Sequence, residues 1–266
     1  MLHVTQRPKV DPYPDEGDFQ ARMFLLIRMI QLREGRLHSE QITMFLGHNT
    51  VITFQETHGD VWDPIRQRLN VKGSRLRSND ASFLVYSLVD SVVDHCFPIL
   101  EYYGDKLHEL EEEVLDNPNM ESVQRMHELN REFMLLRRQV WPMRDVIQSL
   151  QRETHECMSD ITRTYLRDVY DHIVQVIDMI ETYREIAASI AETYATLSGN
   201  KLNEVVKVLT VLTAIFTPPM FLASVYGMNF KVLPELNWQY GYVIFWVVSI
   251  ISSVGLVWWL KRREWL

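Results

Sequence analysis

Two long runs without charged side chains, close to the C-terminus, constrain the fold of this chain more than any other feature. The first extends from Lys207 to Lys231 and the second from Glu235 to Lys261, with charges only at those ends. Each run exceeds the roughly 20 apolar residues that a helix needs to cross about 30 Å of hydrocarbon. Two such runs in succession are hard to bury in a water-soluble protein. The pattern predicts a transmembrane helical hairpin after a larger cytoplasmic region.

Charge also indicates how this hairpin is oriented. The second run ends in Lys261, Arg262 and Arg263, and basic clusters of this kind remain on the cytoplasmic side. The first 18 residues are polar and rich in proline, without the apolar core of a secretory signal. With two spans, both termini are cytoplasmic and the loop 227–240 faces outward. We expect a multi-pass protein of the inner cell membrane, in contact with lipid.

Composition excludes several classes of function. The chain has 266 residues and a net charge of -8, and no basic stripe stands out that could neutralise phosphates, so we expect no nucleic-acid partner. No nucleotide-binding loop or nucleophile motif is present, which predicts that the protein is not an enzyme. Cys96 and Cys157 lack a metal-ligand spacing and are expected to be free thiols.

The region before the hairpin combines strands and helices. Residues 21–33, 41–46 and 50–55 have the composition of strands, and Gly47-His48-Asn49 predicts a β-hairpin between the last two. Asp60 or Asp63 is expected to cap a first helix, and Asn79-Asp80 to open a longer one that ends at Asn117-Pro118. Further helices are predicted over about 121–153, with Pro142 inside, and about 160–225.

These elements predict an α+β fold with a partial N-terminal α/β cytoplasmic domain. A long stalk helix, of about 100 Å at 1.5 Å per residue, continues into the first of two C-terminal transmembrane helices. Gly199 need not end that helix, because an isolated glycine costs only about 1 kcal/mol relative to alanine. The expected division is a partial α/β domain at 1–80, a helical stalk domain at 81–206, membrane helices at 207–226 and 241–260, the outer loop at 227–240 and a basic tail at 261–266.

One face of the first span is polar. At 100° per residue, five polar side chains fall within about 80° of one another: Asn203, Thr210, Thr213, Thr217 and Ser224. Such a stripe serves either helix–helix packing, which is common for hydroxyls in membranes, or the lining of a pore. A single helix cannot enclose a pore, so the second interpretation requires a symmetric oligomer. Pro218-Pro219 in the same span indicates either a hinge or a passive kink.

The loop after this span offers an acceptor for a cation. Gly227 permits a sharp exit from the helix, and Asn229 places an amide oxygen at the mouth of the stripe. A ring of neutral oxygens suits a hydrated hard cation, because Mg²⁺ sheds its water reluctantly.

These segments carry a family resemblance that covers essentially the whole chain. Tyr226-Gly227-Met228-Asn229-Phe230, followed by Pro234-Glu235-Leu236 and Trp238, closely resembles the signature of the CorA family of magnesium and cobalt channels. Further similar segments are Gln6–Val10, Arg167–His172, Ser198–Lys201, Asn203–Val205, Lys207–Thr210 and Glu264–Leu266.

The resemblance implies a homopentamer that conducts Mg²⁺, with Co²⁺ and Ni²⁺ as further ions, down the electrochemical gradient. Gly227, Met228 and Asn229 would form the selectivity loop, with Asn229 touching the hydrated ion. The implied pore-lining residues are Asn203, Val206, Leu209, Thr213, Thr217 and Met220. Val206 and Leu209 would form a hydrophobic constriction that blocks ions by dewetting. Thr213 and Thr217 depart from the apolar or methionine side chains expected at these positions.

The family is gated by cytoplasmic Mg²⁺ bound between subunits, and Asp168 matches the acidic residue of the stalk that takes part. The partner aspartate of the family precedes the segment that resembles Gln6–Val10, so we expect an N-terminally truncated fragment. Mg²⁺ would act as substrate and regulatory ligand, without any cofactor.

Two alternatives stay open. A zinc transporter of the same superfamily typically departs from Gly-Met-Asn at the middle position, so Met228 argues against it. The pore stripe also lacks the imidazole and thiolate ligands that zinc prefers. A membrane-anchored coiled-coil scaffold that conducts nothing is the second alternative, and it predicts that Asn229 is replaceable.

Overall fold

A computed structural model describes residues 9–13, 22–152, 154–229 and 238–263. It divides into two compact units, Met1–Thr193 and Tyr194–Leu266, which are described separately. Parts of the predicted outer loop and basic tail, and residues 6–8 of the N-terminal motif, lie outside the described residues. The domain boundaries drawn from the sequence stay predictions.

The first unit contains an antiparallel four-stranded sheet with strand order β1-β2-β3-β4. Its strands are β1 (Lys9–Tyr13), β2 (Arg22–Arg33), β3 (Arg36–Leu46) and β4 (Val51–Gln55). The predicted hairpin around residues 47–49 is confirmed, because Leu46 pairs with Val51. The predicted α+β class is confirmed as well.

The second hairpin of the sheet was not predicted. Arg33 pairs with Arg36, so only Glu34 and Gly35 connect β2 to β3. Both have positive φ angles, 51° and 73°, as the favoured two-residue hairpin turns require. Strand β3 therefore begins five residues before the predicted Gln41, through a polar stretch without an apolar alternation.

The helices of this unit are α1 (Asp63–Asn70), α2 (Arg75–Ser78), α3 (Ala81–Asp94), α4 (Cys96–Asp116) and α5 (Met120–Arg152). The Asp80 cap is confirmed, since its carboxylate accepts a hydrogen bond from the Phe83 amide. The proposed caps of α1 were wrong: the N-cap is Trp62, and Asp60 accepts from the Trp62 amide at 2.9 Å.

The single helix expected from residue 80 to 117 is interrupted at His95, which separates α3 from α4. Pro98 explains the interruption, because it has no amide hydrogen to donate to the carbonyl of Asp94 four residues earlier. The backbone at His95 stays close to helical values, and its amide bonds to Ser91.

Helices α3 to α5 and the start of α6 (Asp160–Tyr226) bury a shared core. Phe133 of α5 is fully buried and contacts Tyr103 and Tyr183, with ring centroids 5.6 and 5.9 Å apart. The side chain of Tyr183 on α6 reaches α4 at Gly104, where a Cβ atom would lie 2.7 Å from the Tyr183 hydroxyl oxygen. This packing fixes the helix faces that carry the acidic groups described below.

The long helix predicted from about residue 160 to 225 is confirmed as α6, which has 67 residues. Gly199 does not end it, and Pro218 and Pro219 lie inside it. In the second unit, α6 is followed by α7 (Gly241–Arg262), which lies at the position of the second predicted span.

Candidate functional site

Helices α6 and α7 form an antiparallel hairpin within the second unit. The ring of Tyr226 at the end of α6 contacts Phe245 near the start of α7, with centroids 6.0 Å apart. Further along, the hydroxyl of Ser253 donates a hydrogen bond of 2.8 Å to the carbonyl of Ile215. Ala214 is among the few buried side chains of this part of α6. These contacts define the face of α6 that α7 covers.

The predicted pore-lining residues lie on the other side of α6. Taking 100° per residue, their directions centre roughly opposite to those of the partly covered Val211, Leu222 and Tyr226. All six are exposed: Asn203, Val206, Leu209, Thr213, Thr217 and Met220. The exposed fractions of Leu209 and Met220 reach 64% and 68%. The structure thus brings these six positions to one face that α7 leaves uncovered.

The threonines on this face have a defined hydrogen-bonding state. The hydroxyl of Thr213 donates to the Leu209 carbonyl at 2.9 Å, and that of Thr217 donates to the Thr213 carbonyl at 2.7 Å. Because each proton is used inside the helix, the lone pairs of each oxygen are left for donors on the exposed face. Water bound to a cation is such a donor. Neutral acceptors of this kind suit a hydrated ion.

The Gly-Met-Asn segment directly follows this face. The amide of Gly227 bonds to the Ala223 carbonyl at 2.9 Å, and a Cβ atom at Gly227 would lie 3.2 Å from that same oxygen. Glycine therefore fits the tight end of α6. Met228 is 50% exposed, and the exposed Asn229 has no hydrogen-bond partner among the described residues. Asn229 lies at the end of the polar face.

Three helical segments among the described residues are long and apolar enough to cross a membrane. Half of the apolar window in α3–α4 is buried inside the protein. The high hydropathy of this window is therefore explained by its place in the core of the first unit. The windows in α6 and α7 are only 6% and 11% buried. Their exposed apolar surface requires another apolar environment.

Asp168 lies on the exposed surface of α6 beside a cluster that the sequence did not predict. The ligand atoms of Asp90, Asp94 and His172 lie within 4.8 Å of one another. His172 Nδ1 is 2.9 Å from an Asp94 oxygen. A cavity of about 350 Å³ adjoins the two aspartates and is also lined by Tyr86.

Burial and neighbouring charges raise the pKa of Asp90 in this cluster and of Tyr86 beside it. Burial, together with the charges of Asp94 and Asp168, raises the pKa of Asp90 to about 6, against the lowering effect of His172. Burial, with Asp90 and Asp168 contributing, raises the pKa of Tyr86 to about 12. Asp168 is therefore close enough to act on Asp90, although it is not one of the three clustered residues. A divalent cation would relieve this repulsion.

The sequence contained a partial signal for this cluster. Asp90 and Asp94 are four residues apart on one helix, as are Asp168 and His172 on another, so each pair shares a helix face. Nothing in these spacings predicts that the two pairs meet, because 78 residues separate His172 from Asp94.

Comparison with known proteins agrees with these features. The family model described as CorA-like Mg²⁺ transporter protein matches residues 1–262. The cobalt/magnesium transport protein CorA of Thermotoga maritima is 41% identical over the whole chain, which covers 75% of that protein.

A solved structure, the complete CorA magnesium transporter from Methanocaldococcus jannaschii, matches 98% of the chain and 80% of its own length, with a TM-score of 0.84 at 24% identity. The zinc transport protein ZntB of Yersinia enterocolitica is 25% identical over 71% of the chain and 57% of that protein. The family model and the T. maritima relative decide the assignment: this chain belongs to the CorA-like Mg²⁺ transporter family.

Proposed function

We propose that this chain is one subunit of a homopentameric channel for Mg²⁺ influx, with Co²⁺ and Ni²⁺ as further permeant ions, gated by cytoplasmic Mg²⁺. The observation that carries the proposal is the exposed face of α6, opposite to α7, which ends at Gly227, Met228 and Asn229. The names of the relatives support Mg²⁺ and Co²⁺, because the T. maritima protein is a cobalt/magnesium transport protein, whereas Ni²⁺ rests on the family resemblance.

Oligomerisation follows from this face. One helix cannot surround an ion path, and a closed ring of identical subunits presents the same face of each α6 to a common axis. The low burial of the α6 apolar window supports further contacts with neighbouring subunits and with lipid. The number five rests on the family resemblance.

The side chains of the path are suited to a hydrated ion rather than a dehydrated one. Asn229, Thr217 and Thr213 offer neutral oxygens, and the described part of the face between residues 208 and 229 has no charged group. Mg²⁺ retains water strongly, so hydrogen bonding to its hydration shell is favoured. Val206 and Leu209, which are 51% and 64% exposed, would close the path by dewetting.

The distribution of basic residues supports cytoplasmic termini. Lys207 on α6 and Lys261, Arg262 and Arg263 near the end of α7 lie at the same end of the antiparallel hairpin. This end is expected on the cytoplasmic side of the inner membrane. An inside-negative potential then drives influx with about 2.3 kcal/mol per charge per 100 mV, or about twice that for a divalent cation.

The acidic cluster supports the proposed gating. Asp168 is exposed and acts on the half-buried Asp90, whose pKa is raised first by burial and then by the charges of Asp94 and Asp168. Cytoplasmic Mg²⁺ bound by Asp168 and a neighbouring subunit would relieve this repulsion and hold adjacent stalks together. A falling Mg²⁺ level would then release the stalks and open the path.

The zinc alternative has less support. The described α6 face has no histidine or cysteine between Asn203 and Asn229, and zinc prefers those ligands. The non-conducting scaffold remains the second candidate, and it differs from the channel in what it predicts for Asn229.

Mg²⁺ influx into liposomes tests the proposal. The purified chain is compared with Asn229→Ala and with Gln239→Ala, which removes another exposed amide before α7. A channel predicts influx with the unchanged chain and Gln239→Ala, and loss with Asn229→Ala at unchanged assembly. Equal influx with all three would refute the selectivity role of Asn229. An assembled oligomer without influx in any of them would favour the scaffold.

A further inference from the structure

Pro218 and Pro219 deprive two backbone carbonyls of α6, those of Ala214 and Ile215, of their normal amide partners, and the second of these has a replacement. In an α-helix the carbonyl of Ile215 accepts from the amide of residue 219, but residue 219 is Pro219 and has no amide hydrogen. An unpaired carbonyl in an apolar environment costs several kcal/mol. Helix α6 nevertheless continues through this position to Tyr226.

Helix α7 supplies the missing donor. The hydroxyl of Ser253 lies 2.8 Å from the Ile215 carbonyl oxygen and is the donor of that bond. Ser253 is buried, with 8% of its surface exposed, so water has little access to replace it. The bond therefore joins the two helices at the carbonyl that Pro219 leaves free.

Ser249 provides an internal comparison. It lies one turn before Ser253 on α7, is 1% exposed, and its Oγ atom has no hydrogen-bond partner among the described residues. Two serines of the same helix are thus buried, and of these two only Ser253 is bonded to α6. Burial of a small polar residue alone does not account for the Ser253 contact.

We propose that Ser253 is a positioning residue of the ion pathway, because its hydroxyl replaces the amide hydrogen that Pro219 lacks and holds α6 at this point against α7. The inference rests on the proposed channel function. Thr217 and Met220 lie within this proline-containing segment and face away from α7. Their distance from the axis of the oligomer therefore depends on how α6 is held at Ile215.

The role differs from that of a pore-lining residue. Ser253 does not face the ion path, so its loss changes the fraction of channels that conduct and leaves ion recognition at Asn229 unaltered. The expected result for Ser253→Ala is a maximal Mg²⁺ influx about tenfold lower, from the loss of one buried hydrogen bond, with an unchanged half-saturating Mg²⁺ concentration.

A double-mutant cycle on the full chain in liposomes tests this mechanism. The variants are Ser253→Ala, Pro219→Ala and the two combined, with Ser249→Ala as the matched control. Pro219→Ala restores an amide that can donate to the Ile215 carbonyl. Adding Ser253→Ala to Pro219→Ala should therefore not reduce Mg²⁺ influx further. Ser249→Ala should leave influx unchanged, because it removes a hydroxyl without a described partner.

Two results would overturn the proposal. One is an influx for Ser253→Ala equal to that of the unchanged chain. The other is a loss from Ser253→Ala that is equally large with and without the Pro219→Ala substitution, which would mean that Ser253 acts through packing.

The same cycle is read in parallel from the midpoint of thermal dissociation of the detergent-purified oligomer. This second readout tests the pairing even where Ser253→Ala assembles poorly. If the unchanged chain conducts no Mg²⁺, the proposed function fails. The thermal cycle still decides whether Ser253 compensates for Pro219.

Discussion

The Nδ1 atom of His172 lies 2.9 Å from Oδ1 of Asp94 and thereby joins α6 to α3 beside the carboxylate of Asp90. The contact links the long helix to the core of the first unit. Asp90 lies in this environment with its pKa raised by burial and by the charges of Asp94 and Asp168. We therefore expect the stability of this region to depend on pH and on the Mg²⁺ concentration.

The raised pKa of Asp90 predicts a loss of stability as the pH increases. The pKa is raised from 3.8 to about 6, so between these values the folded protein keeps a proton that the unfolded chain has released. The free energy of unfolding therefore falls as the pH rises through this window, and it stays lower at higher pH. Asp90→Asn removes the unfavourable carboxylate charge and should raise the free energy of unfolding by about 1 kcal/mol near neutral pH, after allowing for solvent screening.

Thermal unfolding of the detergent-purified protein from about pH 4 to pH 8 checks this prediction. The extra stability of Asp90→Asn over the unchanged chain should shrink as the pH approaches 4. Asp178→Asn is the control, because Asp178 is exposed on α6 and does not belong to the cluster. An advantage of the same size at every pH would contradict the assigned cause.

Mg²⁺ should stabilise the same region. A cation that binds only the folded protein stabilises it by RT ln(1 + [L]/Kd), about 2.7 kcal/mol at a hundred times Kd. We expect the dissociation midpoint of the oligomer to rise with Mg²⁺, and the rise to shrink in Asp168→Asn. In flux assays that variant should need more internal Mg²⁺ to stop influx.

The exposed Asp171 on the same helix supplies the control, Asp171→Asn. The regulatory role of Asp168 is ruled out if both variants respond to Mg²⁺ in the same way as the unchanged chain.

The Thr217 hydroxyl should contribute as a hydrogen-bond acceptor. Its proton is donated to the Thr213 carbonyl, so only its lone pairs are available to hydrated cations. Thr217→Val keeps the shape and removes the acceptor, and we expect Mg²⁺ influx to fall roughly tenfold. Thr217→Ser keeps the acceptor and should retain most of the influx. Equal rates in the two variants would indicate that Thr217 serves packing instead.

The sequence allowed the helical hairpin and the length of α6 to be predicted, because uncharged runs and helical periodicity are local signals. It did not predict the start of β3, where a polar stretch is held by pairing across the Glu34-Gly35 turn. It also did not predict that Asp94 meets His172 or that Ser253 reaches Ile215. Such contacts depend on which helix faces pack together, and residue spacing within one helix carries no information on that.

The contact of the Tyr183 side chain with α4 at Gly104 gives the last prediction. A Cβ atom at Gly104 would lie 2.7 Å from the Tyr183 hydroxyl oxygen and 3.2 Å from the adjacent ring carbon. Gly104→Ala should therefore lower the free energy of unfolding by about 1–3 kcal/mol, the usual cost of overpacking. Removal of the hydroxyl in the combined variant Gly104→Ala/Tyr183→Phe should recover part of that loss.

Gly199→Ala is the matched control, because within the described part of the chain no heavy atom outside the surrounding helical backbone lies within 4 Å of a Cβ at that position. There alanine should stabilise α6 by about 0.5–1 kcal/mol through its better helix propensity. Thermal unfolding of the four proteins separates the two effects. If Gly104→Ala were as harmless as Gly199→Ala, the Tyr183 hydroxyl could not lie as close to Gly104 as the structure places it.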